Sequence, residues 1–95
     1  MDEKDLIERC RAGDREAQRQ LFDTTSVRIY RVMLRMTGNP DDAADLTQDT
    51  YVKGFRSLDR FDGRSAVSTW CYLIAVNEAL QARRRQRTRS LKLQK

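Results

Sequence analysis

Five consecutive residues, Gly38-Asn39-Pro40-Asp41-Asp42, constrain this chain more than any other stretch. Glycine closes a helix in the left-handed conformation, and an asparagine side chain accepts from the free N–H groups of the next helix. Proline suits the first helical position, where its missing N–H would have had no partner, and the two acids face the positive end of the helix dipole. One helix therefore stops at 38 and another starts at 40. The same grammar recurs at Ala12-Gly13-Asp14, where Gly13 is the stop and Asp14 the next cap. These junctions predict three helices, over about 2–11, 15–37 and 40–58.

Apolar spacing supports each of them. Leu6, Ile7 and Cys10 form a narrow stripe on the first, and Ala17, Leu21, Thr25, Ile29, Val32 and Met36 repeat at three or four along the second. Phe22, Tyr30 and Met33 widen that face, while Arg28, Arg31 and Arg35 lie on another side, toward solvent or a partner. On the third, Ala43, Leu46, Thr50, Tyr51, Phe55 and Leu58 turn inward, so Asp42, Asp45 and Asp49, with Gln48 beside them, make an acidic outward face. Residues 59–64 are the one substantial loop. A fourth helix follows, capped by Ser65 or a neighbouring hydroxyl, with Trp70, Leu73, Ile74 and Leu80 as its stripe and Asn77 close to it. It runs into Arg83-Arg84-Arg85-Gln86-Arg87-Thr88-Arg89, where repulsion between like charges is expected to fray it unless phosphates neutralise the arginines.

With 39% apolar and 35% charged residues, one Pro and four Gly, little of the chain would serve strands. The expected fold is all-α, a compact bundle of about four helices. The core is thin, because a domain of 95 residues buries only about 60–65% of its unfolded surface. No stretch approaches the ~20 apolar residues of a membrane span, and Met1-Asp2-Glu3-Lys4-Asp5 lacks the apolar core of a signal peptide, so a cytoplasmic location without membrane insertion is expected. The two cysteines, Cys10 and Cys71, stand among apolar neighbours and are read as reduced, half-buried packing residues.

Charge is segregated along the chain. Residues 1–82 carry twelve Lys/Arg against fourteen Asp/Glu, whereas residues 83–95 carry seven Lys/Arg and no acid. A basic segment of this kind suits a polyanion, most often nucleic acid, and is equally consistent with a solvated tail. Catalysis finds little to stand on: there is no histidine, no glycine-rich phosphate loop, and no Ser or Cys with an evident base partner. After Asp62 the only acid is Glu78, while Arg64, Ser65, Ser68, Thr69, Tyr72, Asn77 and Gln81 supply donors and Phe61 and Trp70 supply ring faces. Proteins that hold single strands combine such aromatic platforms, at about 1–3 kcal/mol per base, with cations along the backbone and polar groups on unpaired bases. Trp70 reads as a core residue sooner than as a platform, and Ser65 also reads as a simple cap.

Two ordered motifs then carry a resemblance. The run DAADLTQDTYVKGFRSLDRFDGRS resembles D-A-E-D-L-x-Q-E followed by an aromatic, a basic residue and D-R-F, and VSTWCYLIAVNEALQARRR resembles F-S-T-W-L-Y-x-I-A-x-N followed by a basic end. Both belong to the second region of bacterial sigma factors of the extracytoplasmic-function branch, and the likeness covers nearly the whole chain. It implies that Asp45, Gln48 and Asp49, with Lys53 and Arg56 nearby and Asp42 assisting, dock on the β′ clamp helices of core RNA polymerase. It also implies that the loop residues Arg64, Ser65, Val67, Ser68 and Thr69 capture a base flipped from the non-template strand of the promoter −10 element. Asn77 would contact DNA from the helix, and Arg83, Arg84 and Arg85 would hold phosphates without reading sequence. No ATP or metal is needed for such strand capture, so no cofactor and no enzymatic activity are expected.

Three positions depart from the pattern: Ala44 replaces an acid, Phe55 stands where Trp is frequent, and Val67 replaces the Phe before S-T-W, which bears on which base is accepted. Residues 1–88 are expected to form the polymerase- and −10-binding domain, and 89–95 the start of an interdomain linker or a basic tail. The chain is thus expected to be a fragment, lacking the helix-turn-helix domain that reads the −35 element in this family. Two alternatives stay open: a helical protein-interaction module, such as the surface an anti-sigma factor covers, or a generic nucleic-acid-binding bundle.

Overall fold

A computed structural model describes residues 3–93. Four α-helices follow one another: α1 (Glu3–Arg11), α2 (Arg15–Thr37), α3 (Pro40–Arg56) and α4 (Val67–Leu93), with a short 3-10 turn, Leu58–Arg60, after α3. The all-α expectation holds. Asp2 of the expected first helix, and Gln94 and Lys95 of the expected tail, lie outside the described residues.

Both junctions form as their residues dictate. Gly13 and Gly38 adopt φ of 85° and 68°, the left-handed region that glycine enters without steric cost. The Asp14 carboxylate accepts from the N–H groups of Glu16 and Ala17, at 3.0 and 3.3 Å, and Asn39 Oδ1 accepts from Asp41 and Asp42, at 2.9 and 3.2 Å. The guanidinium of Arg9, bound to Asp14 at 2.9 Å, is the first cause holding that carboxyl below its usual range, and the bond from the Ala17 N–H adds to it. α3 ends at Arg56, two residues before the expected end. There Ser57 donates its N–H to the Lys53 carbonyl, and the chain tightens into the 3-10 turn that buries Leu58.

The helices pack around α2, whose buried residues are Ala17, Leu21, Thr25, Ile29 and Met33. The expected stripe was one position off in its second half: Met33 is fully buried, while Val32 and Met36 are only partly so. A run of i+4 steps drifts around the helix, and α2 can follow that drift because α1, α3 and α4 all pack against it. Thr25 ties α2 to α3. Its hydroxyl donates to the Leu21 carbonyl at 2.7 Å and accepts from the Tyr51 hydroxyl, while the Phe22 and Tyr51 rings meet edge-on with centroids 4.8 Å apart.

α4 requires a larger correction. Its buried line is Val67, Cys71, Ala75, Glu78 and Ala79, and of the expected stripe Leu73 and Leu80 are 58% and 42% exposed. Small side chains let α4 lie close to α2 and α3. Trp70 and Ile74 sit half-buried at the flank of that line, where a Cβ at Gly54 would lie 3.9 and 3.8 Å from their atoms. Trp70 also packs on Phe61, centroids 5.3 Å apart, which makes it a packing residue. Both cysteines are buried more deeply than expected, at 3% exposed each, and both are free thiols.

The start of α4 also differs from expectation. Ala66 occupies the capping position, its carbonyl accepting from the Trp70 N–H at 3.2 Å, and the N–H of Val67 is satisfied by Glu3 of α1 at 3.3 Å. The cap therefore comes from the other end of the sequence, and Ser65 stays exposed. α4 passes the expected boundary at 88/89 without a break and remains helical to Leu93 despite its arginines.

Candidate nucleic-acid interface

The loop at residues 61–66 is short and held from several sides. Asp62 Oδ1 accepts from the Arg64 N–H at 3.1 Å across Gly63, whose φ of 79° again needs glycine, and the Asp62 carboxylate pairs with the Arg64 guanidinium at 3.1 Å. This presents Arg64 and Ser65 outward, both exposed. Phe61 anchors the loop below, 5% exposed against Trp70.

Of the residues expected to meet the captured base, Val67 is buried. At 4% exposed it belongs to the core beneath the loop, so it shapes the floor on which Ser68 and Thr69 stand. Ser68 and Thr69 line a shallow groove of about 260 Å³ whose other walls are Tyr72 of α4 and Arg28 and Val32 of α2. The groove offers a cation, hydroxyls and an aromatic ring together, the set that suits a phosphate next to an unstacked base. Sequence reasoning had grouped Arg28 with Arg31 and Arg35 and left it between solvent and partner. Its one available signal was that arginine spacing, and only the packing of α2 beside the first turns of α4 places it at the groove.

Asn77 is exposed but does not line this groove. It lies eight residues beyond Thr69, about 12 Å along the helix, on the outward side of α4 with the exposed Leu73 and Leu80.

Arg83, Arg84 and Arg85, expected to act together, are divided. Arg83 donates to the Met36 carbonyl at 2.9 Å, satisfying one of the carbonyls left free at the end of α2. Arg83, Arg85, Gln86 and Arg89 line one wall of a cleft of about 830 Å³, and Asp42, Asp45 and Asp49 line the facing wall. Arg84 is exposed and lies outside that cleft. The acids across the cleft set negative charge opposite Arg83, Arg85 and Arg89, and α4 is unbroken along this wall.

The outward face of α3 holds the residues expected at the polymerase. Asp42, Asp45, Gln48, Asp49, Lys53 and Arg56 are all exposed, and Val52, 50% exposed, adds an apolar spot among them. Lys53 also has an internal commitment, an ion pair of 2.6 Å with the buried Glu78. No helix among the described residues is long and apolar enough to cross a membrane.

Comparisons with known proteins show the family to which this fold belongs. The family described as Sigma-70 region 2 matches residues 21–89. The chain is similar to the ECF RNA polymerase sigma factor SigW of Bacillus subtilis, 31% identical over 84 residues, which cover 88% of this chain and 45% of that protein. It is 34% identical over 77 residues to the RNA polymerase sigma-H factor of Pseudomonas aeruginosa, covering 81% of this chain and 40% of that one. It is 36% identical over 74 residues to the ECF RNA polymerase sigma-E factor of Escherichia coli K12, covering 78% and 38%. The chain thus spans less than half the length of these relatives. Among solved structures it resembles an engineered region 2 of sigmaE determined in complex with GTAAAA, with a TM-score of 0.84 and 31% identity over 94% of this chain and 93% of that one.

Proposed function

The chain belongs to the Sigma-70 region 2 family, and from that membership we propose that it docks on core RNA polymerase and captures the non-template strand of a promoter −10 element. The observation that carries this reading is the likeness, at 31% identity and TM-score 0.84, to an engineered region 2 of sigmaE solved in complex with GTAAAA. The loop at 61–66 and the Arg28, Ser68, Thr69 and Tyr72 groove supply a place for an extruded base and its phosphate. Flipping a base costs a few kcal/mol of stacking and pairing, so a pocket that binds only the extruded base turns binding energy into strand separation. Neither nucleotide hydrolysis nor a metal ion takes part.

Docking uses the outward face of α3, with Asp45, Gln48 and Asp49 at its centre, Asp42 and Arg56 beside them, Val52 as the apolar contact, and Lys53 last because of its tie to Glu78. Complementary charge orients and speeds that encounter with the β′ clamp helices. Arg84 meets phosphates from outside the cleft, while Arg83 and Arg85 stand opposite the α3 acids across it. The protein acts in the cytoplasm, alongside polymerase and chromosome, and its activity in a promoter complex requires contacts beyond this domain. An anti-sigma factor is a second partner, favoured by the exposed Leu73 and Leu80 on the outward side of α4.

Two binding measurements test the reading: a labelled single strand containing GTAAAA, with a scrambled strand as control, and core polymerase from a bacterium. Preferential strand binding together with polymerase docking is the expected result. A well-folded sample that binds neither overturns it, and equal affinity for the scrambled strand replaces it with a generic nucleic-acid-binding bundle.

A further inference from the structure

α1 precedes the segment that the family match covers, residues 21–89, yet it grips both ends of the loop described above. At the entry, Arg11 donates from Nε to the Leu58 carbonyl at 3.2 Å and from Nη2 to the Phe61 carbonyl. A third bond, from Nη1 to Glu8 at 2.5 Å, holds the guanidinium in that orientation. At the exit, the Glu3 carboxylate accepts from the Val67 N–H at 3.3 Å, where the preceding Ala66 has no side-chain oxygen to serve as cap. Between these anchors, Ile7 and Glu8 of α1 and Phe61, Asp62 and Gly63 of the loop line one pocket of about 480 Å³. Leu6, Ile7 and Cys10 fasten α1 itself to the core.

We propose that Glu3 and Arg11 are positioning residues for base capture: without touching a nucleotide, they hold residues 61–66 in the shape that receives the extruded base. The proposal rests on the strand-capture reading. Its physical basis is the entropy of a short loop with few bonds of its own, chiefly the Asp62 turn. A loop already fixed at both ends loses less freedom when a strand binds, and a released one must be ordered by the strand.

The test combines loop order with strand affinity in the full chain. Arg11→Met keeps the aliphatic stem and removes the donors. Glu3→Ala removes the acceptor, while Glu3→Gln retains an oxygen that can accept from Val67. Amide hydrogen exchange at residues 62–67 should rise about tenfold in Arg11→Met and Glu3→Ala, with α2 and α3 unchanged and Glu3→Gln near the parent. The affinity probe is a single strand selected by the parent chain from a randomised pool, and its Kd should weaken about tenfold in the same two variants.

Unchanged exchange in both variants overturns the brace. Faster exchange with unchanged Kd overturns its part in capture, as does a loss of protection spread evenly through the bundle. A parent chain that selects no strand overturns the strand-capture reading and this inference with it, and the exchange data then still show whether α1 holds the loop.

Discussion

Lys53 Nζ lies 2.6 Å from the Glu78 carboxylate, joining α3 to α4 at the one acid that α4 carries, and Glu78 is only 3% exposed. The burial of Glu78 follows from its place one residue before Ala79 on the covered line of α4, where a carboxylate is tolerable only with a partner. Lys53→Met would strand that charge. Because the Lys53 side chain is 52% exposed, solvent relieves part of the loss, so about 2 kcal/mol is expected, below the range for fully buried pairs. Melting followed by circular dichroism should fall by about 10 °C. Adding Glu78→Leu to Lys53→Met should recover most of it, and a single variant as stable as the parent would remove the pair from the account of how α4 is held.

Strand binding and polymerase docking should separate by mutation. Asn77→Ala should weaken single-strand affinity about fivefold, the loss of one polar contact, and leave polymerase affinity alone. Asp45→Arg should slow association with core polymerase about tenfold. Its circular dichroism must be compared as well, since Asp45 also faces the arginines across the cleft. Parallel losses in both assays for either variant would contradict the division between α4 and α3.

The arginine run should behave unevenly. Arg84→Ala should reduce the slope of log affinity for a single strand against log salt by about 0.7, the contribution of one neutralised phosphate, with no change in melting. Arg83→Ala should instead cost about 1 kcal/mol of stability by freeing the Met36 carbonyl at the end of α2. Identical behaviour of the two would mean that the split seen at the cleft has no energetic consequence.

Alkaline pH should destabilise the bundle. Burial pushes the Cys71 thiol up from its ordinary 9.0 to about 11, with Cys10 nearby adding to the shift. Burial likewise pushes the Tyr51 hydroxyl up from 10.0 to about 12, against the opposing effect of its hydrogen bond with Thr25. Above pH 9 the unfolded chain releases protons that the folded chain retains, so stability is whole below that point and declines as pH rises through about 11 to 12. Urea titrations at stepped pH measure this. Thiol reagents at neutral pH should react with Cys71 only as fast as the protein opens.

Much of this protein was legible from residues a few positions apart. Gly38, Asn39 and Pro40 act within one turn of backbone, so the α2/α3 junction formed where the sequence placed it, as did Gly13 and Asp14 before α2. The acidic face of α3 followed for the same local reason, because residues at i, i+3 and i+7 share a side once the helix exists. The motifs that carried the family resemblance were likewise contiguous.

What only the tertiary structure decided depended on which distant element came to lie alongside. α4 has large apolar residues and a line of small ones on different sides, and composition favours the large ones as core. Close approach to α2 and α3 selected the small line of Cys71, Ala75 and Ala79 and left Leu73 and Leu80 outside. The cap of α4 came from Glu3, sixty-four residues away, Arg28 reached the groove from another helix, and Arg83 and Arg85 came to line one cleft with the acids of α3. Local signals specify where helices begin and end. Which face each helix buries, and which charges meet, is set by packing among segments remote in sequence, and no spacing within one segment encodes it.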